Sequence, residues 1–328
     1  MYGELYTKYK AEVITDIISR TNLDATKLVR SKANDVIIPC SGETAEDIAT
    51  ARCVPYDNIL LGGDLNIIRL HGYDGSFMSY QLNGKRKYDI AKVAQGVSVV
   101  HLYGEHLKGV KTYAPSLEEQ KKIAKLLSLL DERIATQVRI IERLETLIRG
   151  IRYNAFKDIQ GKVFHLCDIA DIYQPQTISS SDLTTNGFPV YGANGVIGKY
   201  KTYNHETAQI CITCRGNTCG TVNYTQPKAW ITGNSMVVNI DKHKNEVNKR
   251  YLYHYLSEYN FKTIISGSGQ PQIVRTPLER IRITLPTIEK QAKVAHSMDL
   301  LLEKIGTEIS VRSLLEKQKQ YLLRQMFI

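Results

Sequence analysis

Apolar residues recur every three or four positions from Pro115 to Phe156, a stretch without glycine or internal proline until Gly150. Leu127, Leu130, Ile134, Ile141, Leu144, Ile148 and Ile151 fall on one seam of a heptad, with Gln137 its one polar member. That spacing predicts one long helix with a coiled-coil face. At about 1.5 Å per residue it would extend on the order of 60 Å, several times an ordinary globular helix. The stretch occurs twice. Pro286 to Phe327 aligns with it, without a gap, at an offset of 171 residues. The matched positions include Pro115/Pro286, Glu118/Glu289, Gln120/Gln291, Ala124/Ala295, Leu130/Leu301, Ile134/Ile305, Leu144/Leu315 and Phe156/Phe327. The second seam carries Met298, Leu301, Ile305, Leu315, Leu322 and Met326, but Glu308, Arg312 and Lys319 interrupt it. Such breaks read as a stutter or as a surface that meets another protein.

Between the long stretches the pattern shortens to strands and turns. In residues 1–114, Tyr9–Ile18 reads as helix or strand, and Asn34–Thr44 as a buried strand ending in a Ser-Gly turn. Asn58–Leu70 reads as two strands around Gly62-Gly63, Ser76–Asn83 as a short helix, and the run from Gln95 as two short strands. Residues 157–285 repeat this order of events. A strand-rich opening (Lys162–Tyr173) precedes a polar loop (Gln174–Gly187) and a hairpin (Pro189–Tyr203). Two strands flank a turn at Arg215-Gly216, Trp230–Ile240 repeats the Gly-then-apolar pattern, and Asn248–Tyr259 is an aromatic-rich helix.

Gly42/Gly216, Thr44/Thr218, Gly63/Gly233, Ile67/Val237, Gly96/Gly267 and Leu107/Leu278 keep step with the helical repeat. The expected fold is therefore α+β: two strand-rich α/β domains separated by two long helices that form an intramolecular antiparallel coiled coil, with a pseudo-two-fold repeat. Its parts are 1–114, first domain; 115–156, first long helix; 157–285, second domain; and 286–328, second long helix. The first domain has less chain ahead of its Gly turn than the second, so it reads as shortened at its start. An apolar seam cannot stay solvated, and its nearest partner is its own copy.

At 328 residues the chain has room for two or three domains with sizeable cores. The N-terminus lacks the apolar core of a signal peptide and no run suits a membrane span, which points to the cytoplasm. Six cysteines without a small-domain framework agree with a reducing compartment. The net charge is +10, and the excess is largest in residues 162–285. A basic balance favours a polyanion, and two similar domains held apart by a rod suit a long periodic ligand such as double-stranded DNA. A two-headed protein scaffold would look the same.

Several side chains suit contact with DNA. Arg215, with Asn217 in the same Gly turn, can present a fork to a guanine edge or a phosphate; an ordinary exposed turn arginine is the plain alternative. Ser41 is its counterpart in the first domain. The loop Ser266–Gln272, with Ser266, Ser268, Gln270 and Gln272, is small and amide-rich, suited to close backbone approach, though a plain linker shares that composition. Lys199 and Lys201 could follow a groove, and Lys85, Arg86, Lys87 and Tyr88 form a short basic cluster of the kind that also merely solvates a face. Cys211, Cys214 and Cys219, with Cys167 and His205, lack the spacing of a zinc ribbon or finger, so no metal is expected. No phosphate loop, nucleophile elbow or aminomethyltransferase signature is present, so no catalytic residue is named.

The twice-occurring Pro-x-x-Glu-x-Gln-x-x-x-Ala helix start (Pro115–Ala124, Pro286–Ala295), with CRGNTCGTVNY, SGSGQPQI and LERIRITLP, resembles the specificity subunit of type I restriction-modification enzymes along essentially the whole chain. The resemblance implies a non-catalytic subunit whose two domains are target recognition domains, each reading one half of a split DNA site. It implies that the long helices space the domains and dock two modification (methyltransferase) subunits, with restriction subunits joining that core. Glu118, Gln120, Glu289, Gln291, Arg312 and Lys319 are the docking candidates on those helices. S-adenosylmethionine, ATP and Mg would then belong only to the partner subunits. The shortened first domain departs from the family pattern and leaves a cassette reading only one half-site as an alternative, beside the two-headed scaffold.

Overall fold

The computed structural model describes residues 3–193, 195–267 and 269–327. The two amphipathic stretches form helices Leu117–Lys157 and Ile288–Gln325. The chain divides into a first unit, residues 1–140 with 308–328, and a second unit, residues 141–307. Each unit thus holds one strand-rich domain and a stretch of each long helix. No described helix is long and apolar enough to cross a membrane.

The predicted seam is the buried face. Leu127, Leu130, Gln137, Ile141 and Ile148 are buried, and Ile134, Leu144 and Ile151 half-buried. Within the first unit the helices run antiparallel: Asp131 meets Lys319 at 2.5 Å, while Gln137 donates to the Glu308 carbonyl oxygen at 3.3 Å and to its carboxylate. Gln137 and Glu308 occupy the same position of the repeat. The polar member of one seam therefore meets the first interruption of the other. A slip in register would take the buried Gln137 amide away from Glu308, so this pair favours the alignment.

In the first domain, Asp35–Pro39 is buried along its whole length because it is the central strand, with Arg52–Val54 and Leu65–Ile68 antiparallel on either side. Its counterpart in the second domain is Ile210–Thr213, also wholly buried, between Val222–Tyr224 and Ser235–Asn239. Val36, Ile38, Met78 and Leu82 form the core of the one, and Ile210, Ile212, Val238 and Leu252 the core of the other. The predicted hairpin is present as Phe188–Gly192 and Gly195–Tyr200. Two expectations fail. Tyr9–Ile18 is neither helix nor strand, touching the sheet through one bridge from Val13 to Cys53. The run from Gln95 holds one short strand, Val100–His101, and then a helical turn, Gly104–Leu107, rather than two strands.

In the second domain, Lys162–His165 pairs with Arg282–Leu285, the strand that leads into the second long helix. Among the described residues, the matching stretch before the first long helix has no strand partner; the Gln81 carboxamide instead bonds both backbone groups of Tyr113 at 2.9 Å.

Each domain joins the long helices through one joint, built twice. Asp74 caps helix Gly75–Asn83, accepting from the Phe77 N–H at 2.8 Å, and Asn248 caps helix Lys249–Glu258, accepting from the Tyr251 N–H at 2.9 Å. The backbone N–H of each cap residue donates to a long-helix glutamine at 2.9 Å, Asp74 to Gln120 and Asn248 to Gln291. Both glutamines are 1% exposed, and their amides donate to Pro115 and Pro286. An aromatic edge contact completes each joint: Phe327 on Phe77 at 5.3 Å and Phe156 on Tyr251 at 5.5 Å.

Candidate nucleic-acid interface

In the second domain the central strand ends at Thr213 and the chain turns at Arg215-Gly216, where Gly216 takes a φ of +81°. The turn is pinned from outside. Gly216 N–H donates to Pro271 at 3.0 Å, Ile273 N–H donates to Cys214 at 3.0 Å, and Arg215 lies opposite Gln272 in an antiparallel bridge. Gln272 in turn exchanges both backbone bonds with Ser266, at 2.9 and 2.8 Å. The loop between them depends on Gly267, at φ +89°, where an added Cβ would collide with the Gln270 carbonyl oxygen. Directly opposed residues carry their side chains on one face, about 5 Å apart. Arg215, Gln272 and Ser266 thus stand in a row, with Asn217 and Gln270 beside them in the same turn and loop, and all five are exposed. Ser268 lies outside the described residues.

A guanidinium fork and carboxamides on a backbone locked this firmly are the groups that read base edges, and the same donors serve phosphate oxygens. The hairpin turn joins the cluster, since the hydroxyls of Thr213 and Thr218 both donate to the Ala193 carbonyl oxygen, at 2.7 and 3.3 Å. Lys199 and Lys201 are not part of it. Lys199 pairs with Pro189 near the opposite end of the hairpin, about 13 Å along the strand from the Gly195 turn. Both lysines are exposed, and the Lys201 ammonium lies 5.9 Å from the Tyr200 ring.

The first domain repeats the arrangement with other side chains. Ser41 opposes His101, and His101 exchanges backbone bonds with Gln95 at 2.9 and 2.7 Å. Ser41 is buried, its Oγ 3.0 Å from His101 Nδ1. The loop from Gln95 to His101 is the counterpart of Ser266–Gln272, residue for residue at the repeat offset. The pairing of Gly96 with Gly267 was the signal for it; valines where the other loop has Ser and Gln hid the correspondence. The basic cluster sits apart on a neighbouring feature. Lys87 and Tyr88 line a groove with Ala45 and Glu46, the start of the helix after the Ser41 turn. Tyr88 is 67% exposed with the Lys92 ammonium 4.4 Å above its ring, Arg86 turns to Asp89 at 3.4 Å, and Lys85 is exposed.

The docking candidates divide. Gln120 and Gln291 are the buried joint glutamines, and Lys319 is buried between Glu12 and Asp131, so these three hold the fold inside and offer nothing at the surface. Glu118 and Glu289 are exposed, the former 2.6 Å from Lys122, and Arg312 is half-buried 3.6 Å from Glu316. What the helix surface offers instead is apolar. In the first unit, Leu126, Leu129, Leu130, Val311, Leu315 and Leu322 line an open groove of about 610 Å³. Among the described residues no cluster of three or more potential ligands could hold a metal ion; Cys211 and Cys214 are buried, and burial pushes the Cys211 thiol up to about 12.

A sequence model for the type I restriction modification DNA specificity domain matches residues 4–146 and again 160–317. The EcoprrI type I restriction enzyme specificity subunit of Escherichia coli is 25% identical over 166 residues, 46% of this chain and 41% of that protein. The MjaVIII specificity subunit of Methanocaldococcus jannaschii is 24% identical over 299 residues, 76% of this chain and 68% of that protein. The chain thus spans well under half the length of the first and about two thirds of the second. The crystal structure of a type I restriction-modification S subunit from M. genitalium shares the fold, with a TM-score of 0.69 at 20% identity over 97% of this chain and 89% of that one.

Proposed function

The chain belongs to the type I restriction modification DNA specificity family, and from that premise we propose that it is the DNA-reading, non-catalytic subunit of a restriction-modification complex. Each domain reads one half of a bipartite double-stranded site, and the long helices set the separation and carry two modification subunits, with restriction subunits joining them. S-adenosylmethionine, ATP and Mg²⁺ belong to those partners. The observation that carries this reading is the recurrence, in both domains, of one locked turn and one locked loop at the same place in the fold. The apolar groove on the helix pair of the first unit supports the docking role, since an exposed apolar strip rimmed by charge is what a partner covers.

Co-expression with a cognate modification subunit, followed by methylome sequencing, tests it. A split adenine-methylated motif is the expected result; a continuous motif, or none, would count against a two-headed reader. Binding of the purified complex to that motif should weaken steeply with salt, because each phosphate contact adds about −0.9 to the logarithmic slope. A flat salt response would favour a protein scaffold.

A further inference from the structure

The two loops share a backbone and differ in what they present. In both, the end residues exchange two backbone hydrogen bonds, Gln95 with His101 and Ser266 with Gln272. In both, the second residue is a left-handed glycine, Gly96 at φ +118° and Gly267 at φ +89°. An added Cβ would strike the carbonyl oxygen three residues on, Val99 in one and Gln270 in the other. Both loops are fastened by the same bond to the residue that follows the central strand, Leu102 N–H to Cys40 at 2.7 Å and Ile273 N–H to Cys214 at 3.0 Å. The first loop is further braced by His101, whose ring meets Ser41 Oγ and stacks on Tyr103 at 6.2 Å.

On that rigid frame the second domain carries Gln270 and Gln272 beside Arg215. The first carries Val97, 98% exposed, and Val99, 51% exposed. A valine held almost wholly in water on a loop too constrained to fold it away gains its burial free energy only when a partner covers it. The sister loop has a serine at the position of Val97 and an amide at that of Val99; on a loop that faces bases, the edge that covers a valine is that of thymine, which alone presents a methyl group in the major groove. We infer that Gln95–His101 is the reading loop of the first domain and that Val97 selects an A·T pair by contact with the thymine 5-methyl. The inference rests on the DNA-reading role proposed above and deepens it. The two half-sites are then read by different chemistry, apolar in one and hydrogen-bonding in the other.

The test uses the full chain in complex with its modification subunit. Methylomes are compared for wild type, Val97→Ser and the pair Arg215→Ala with Gln272→Ala. Val97→Ser should relax one A·T position in one half of the motif, and the pair should relax positions only in the other half. Duplexes with uracil replacing thymine at the relaxed position then lack only the methyl group. Wild type should bind them about fourfold more weakly, the worth of one buried methyl, and Val97→Ser less than twofold more weakly. A Val97→Ser motif identical to wild type, a change falling in the half altered by the Arg215 pair, or wild-type binding indifferent to uracil would each overturn the inference while leaving the bipartite reader intact. Failure of wild type to methylate or bind a split motif would instead remove the reading on which it stands. Val97 packs against nothing that folding requires, so the variant keeps the test interpretable.

Discussion

The two joints between domain and long helices follow one plan, yet their buried charges are arranged in opposite senses. In the first unit the second long helix supplies a cation: Lys319 is buried between Glu12 of the domain and Asp131 of the first long helix, and the Tyr80 hydroxyl donates to Asp131 at 2.7 Å. In the second unit the same helix supplies an anion: Asp299 receives Arg250 at 2.9 Å and His254 at 2.8 Å, and Arg152 of the first long helix donates to the other His254 nitrogen at 3.3 Å. Tyr80 and His254 are equivalent, each six residues past its helix cap. The shared parts, glutamine and aromatic edge, are generic glue. The charges are what distinguish the joints, because each would face an apolar or small residue in the other: Lys319 corresponds to Ile148, Arg152 to Leu323, and Asp299 to Ser128. A domain seated on the wrong helix ends would bury unpaired charge.

Lys319→Met should have the largest effect. It leaves Glu12, whose carboxyl burial already pushes upward, and Asp131 facing no ammonium. Removing one partner of a buried pair costs about 3–5 kcal/mol. Urea unfolding of the full chain should show the transition of the first unit moved by that amount, with Glu12→Gln restoring part of it. A loss below about 1 kcal/mol would mean that the joint tolerates the charge unpaired, and the distinction between the joints would fail.

The aromatic contacts offer a milder comparison. Phe327 is fully buried against Phe77, whereas Phe156 is only half-buried against Tyr251. Phe327→Ala should cost about 3–4 kcal/mol and Phe156→Ala about 2 kcal/mol, since the second site already shares its ring with solvent. Equal losses would show that exposure does not set the difference.

His254 separates the joints by pH. Its ring is completely buried, and burial above all holds its pKa down at about 4. The neutral ring satisfies both neighbours, with Nε2–H donating to Asp299 and Nδ1 accepting from Arg152; protonation would set an N–H against the Arg152 guanidinium. The unfolded chain takes up this proton near pH 6.5, so the contribution is fully present above 6.5 and is lost as pH falls through 6.5 towards 4. The expected loss in the second unit is up to about 3 kcal/mol. Asp299, held below its ordinary range, adds its own loss only under more acid conditions. His254→Tyr copies the Tyr80 solution, a hydroxyl that donates to the carboxylate without titrating there, and should flatten the profile. An unchanged acid loss in that variant would assign it elsewhere.

The sequence pattern already held the long helices, their antiparallel pairing and the repeat, because a heptad seam and an ungapped copy are local, periodic signals. Even the one polar seam residue, Gln137, was legible as an exception, and its partner is its own copy, Glu308. Lys319, Gln120 and Gln291 were read as surface residues for a physical reason. On a helix, a lysine or glutamine looks solvated unless its partner is known, and Glu12 lies 307 residues from Lys319. No periodicity reports so distant a pairing. The Arg215 turn and the Ser266 loop were visible from Gly, Ser and Gln, while that they touch through Gln272 was not. The sister loop, Gln95–His101, escaped because its glycine was conserved across the repeat but its polarity was not.

The smallest expected effect concerns the helices between the joints. Gly150 and Gly306 lie inside the two long helices, both within the second unit, and an added Cβ at either would meet nothing within 4 Å. The helix stretches of the first unit contain no glycine. A glycine inside a helix costs about 0.5–1 kcal/mol relative to alanine, chiefly through the freedom it regains on unfolding. Gly150→Ala and Gly306→Ala should therefore each stabilise the second unit by about that amount and leave the first unit unmoved, as domain-resolved hydrogen exchange would register. If stability rises but methylation by the assembled complex falls, the glycines are kept for a bend that the complex needs, and the softer helix pair of the second unit is part of how it works. If both are unchanged, the helix there is already frayed, and the difference between the units lies in their joints alone.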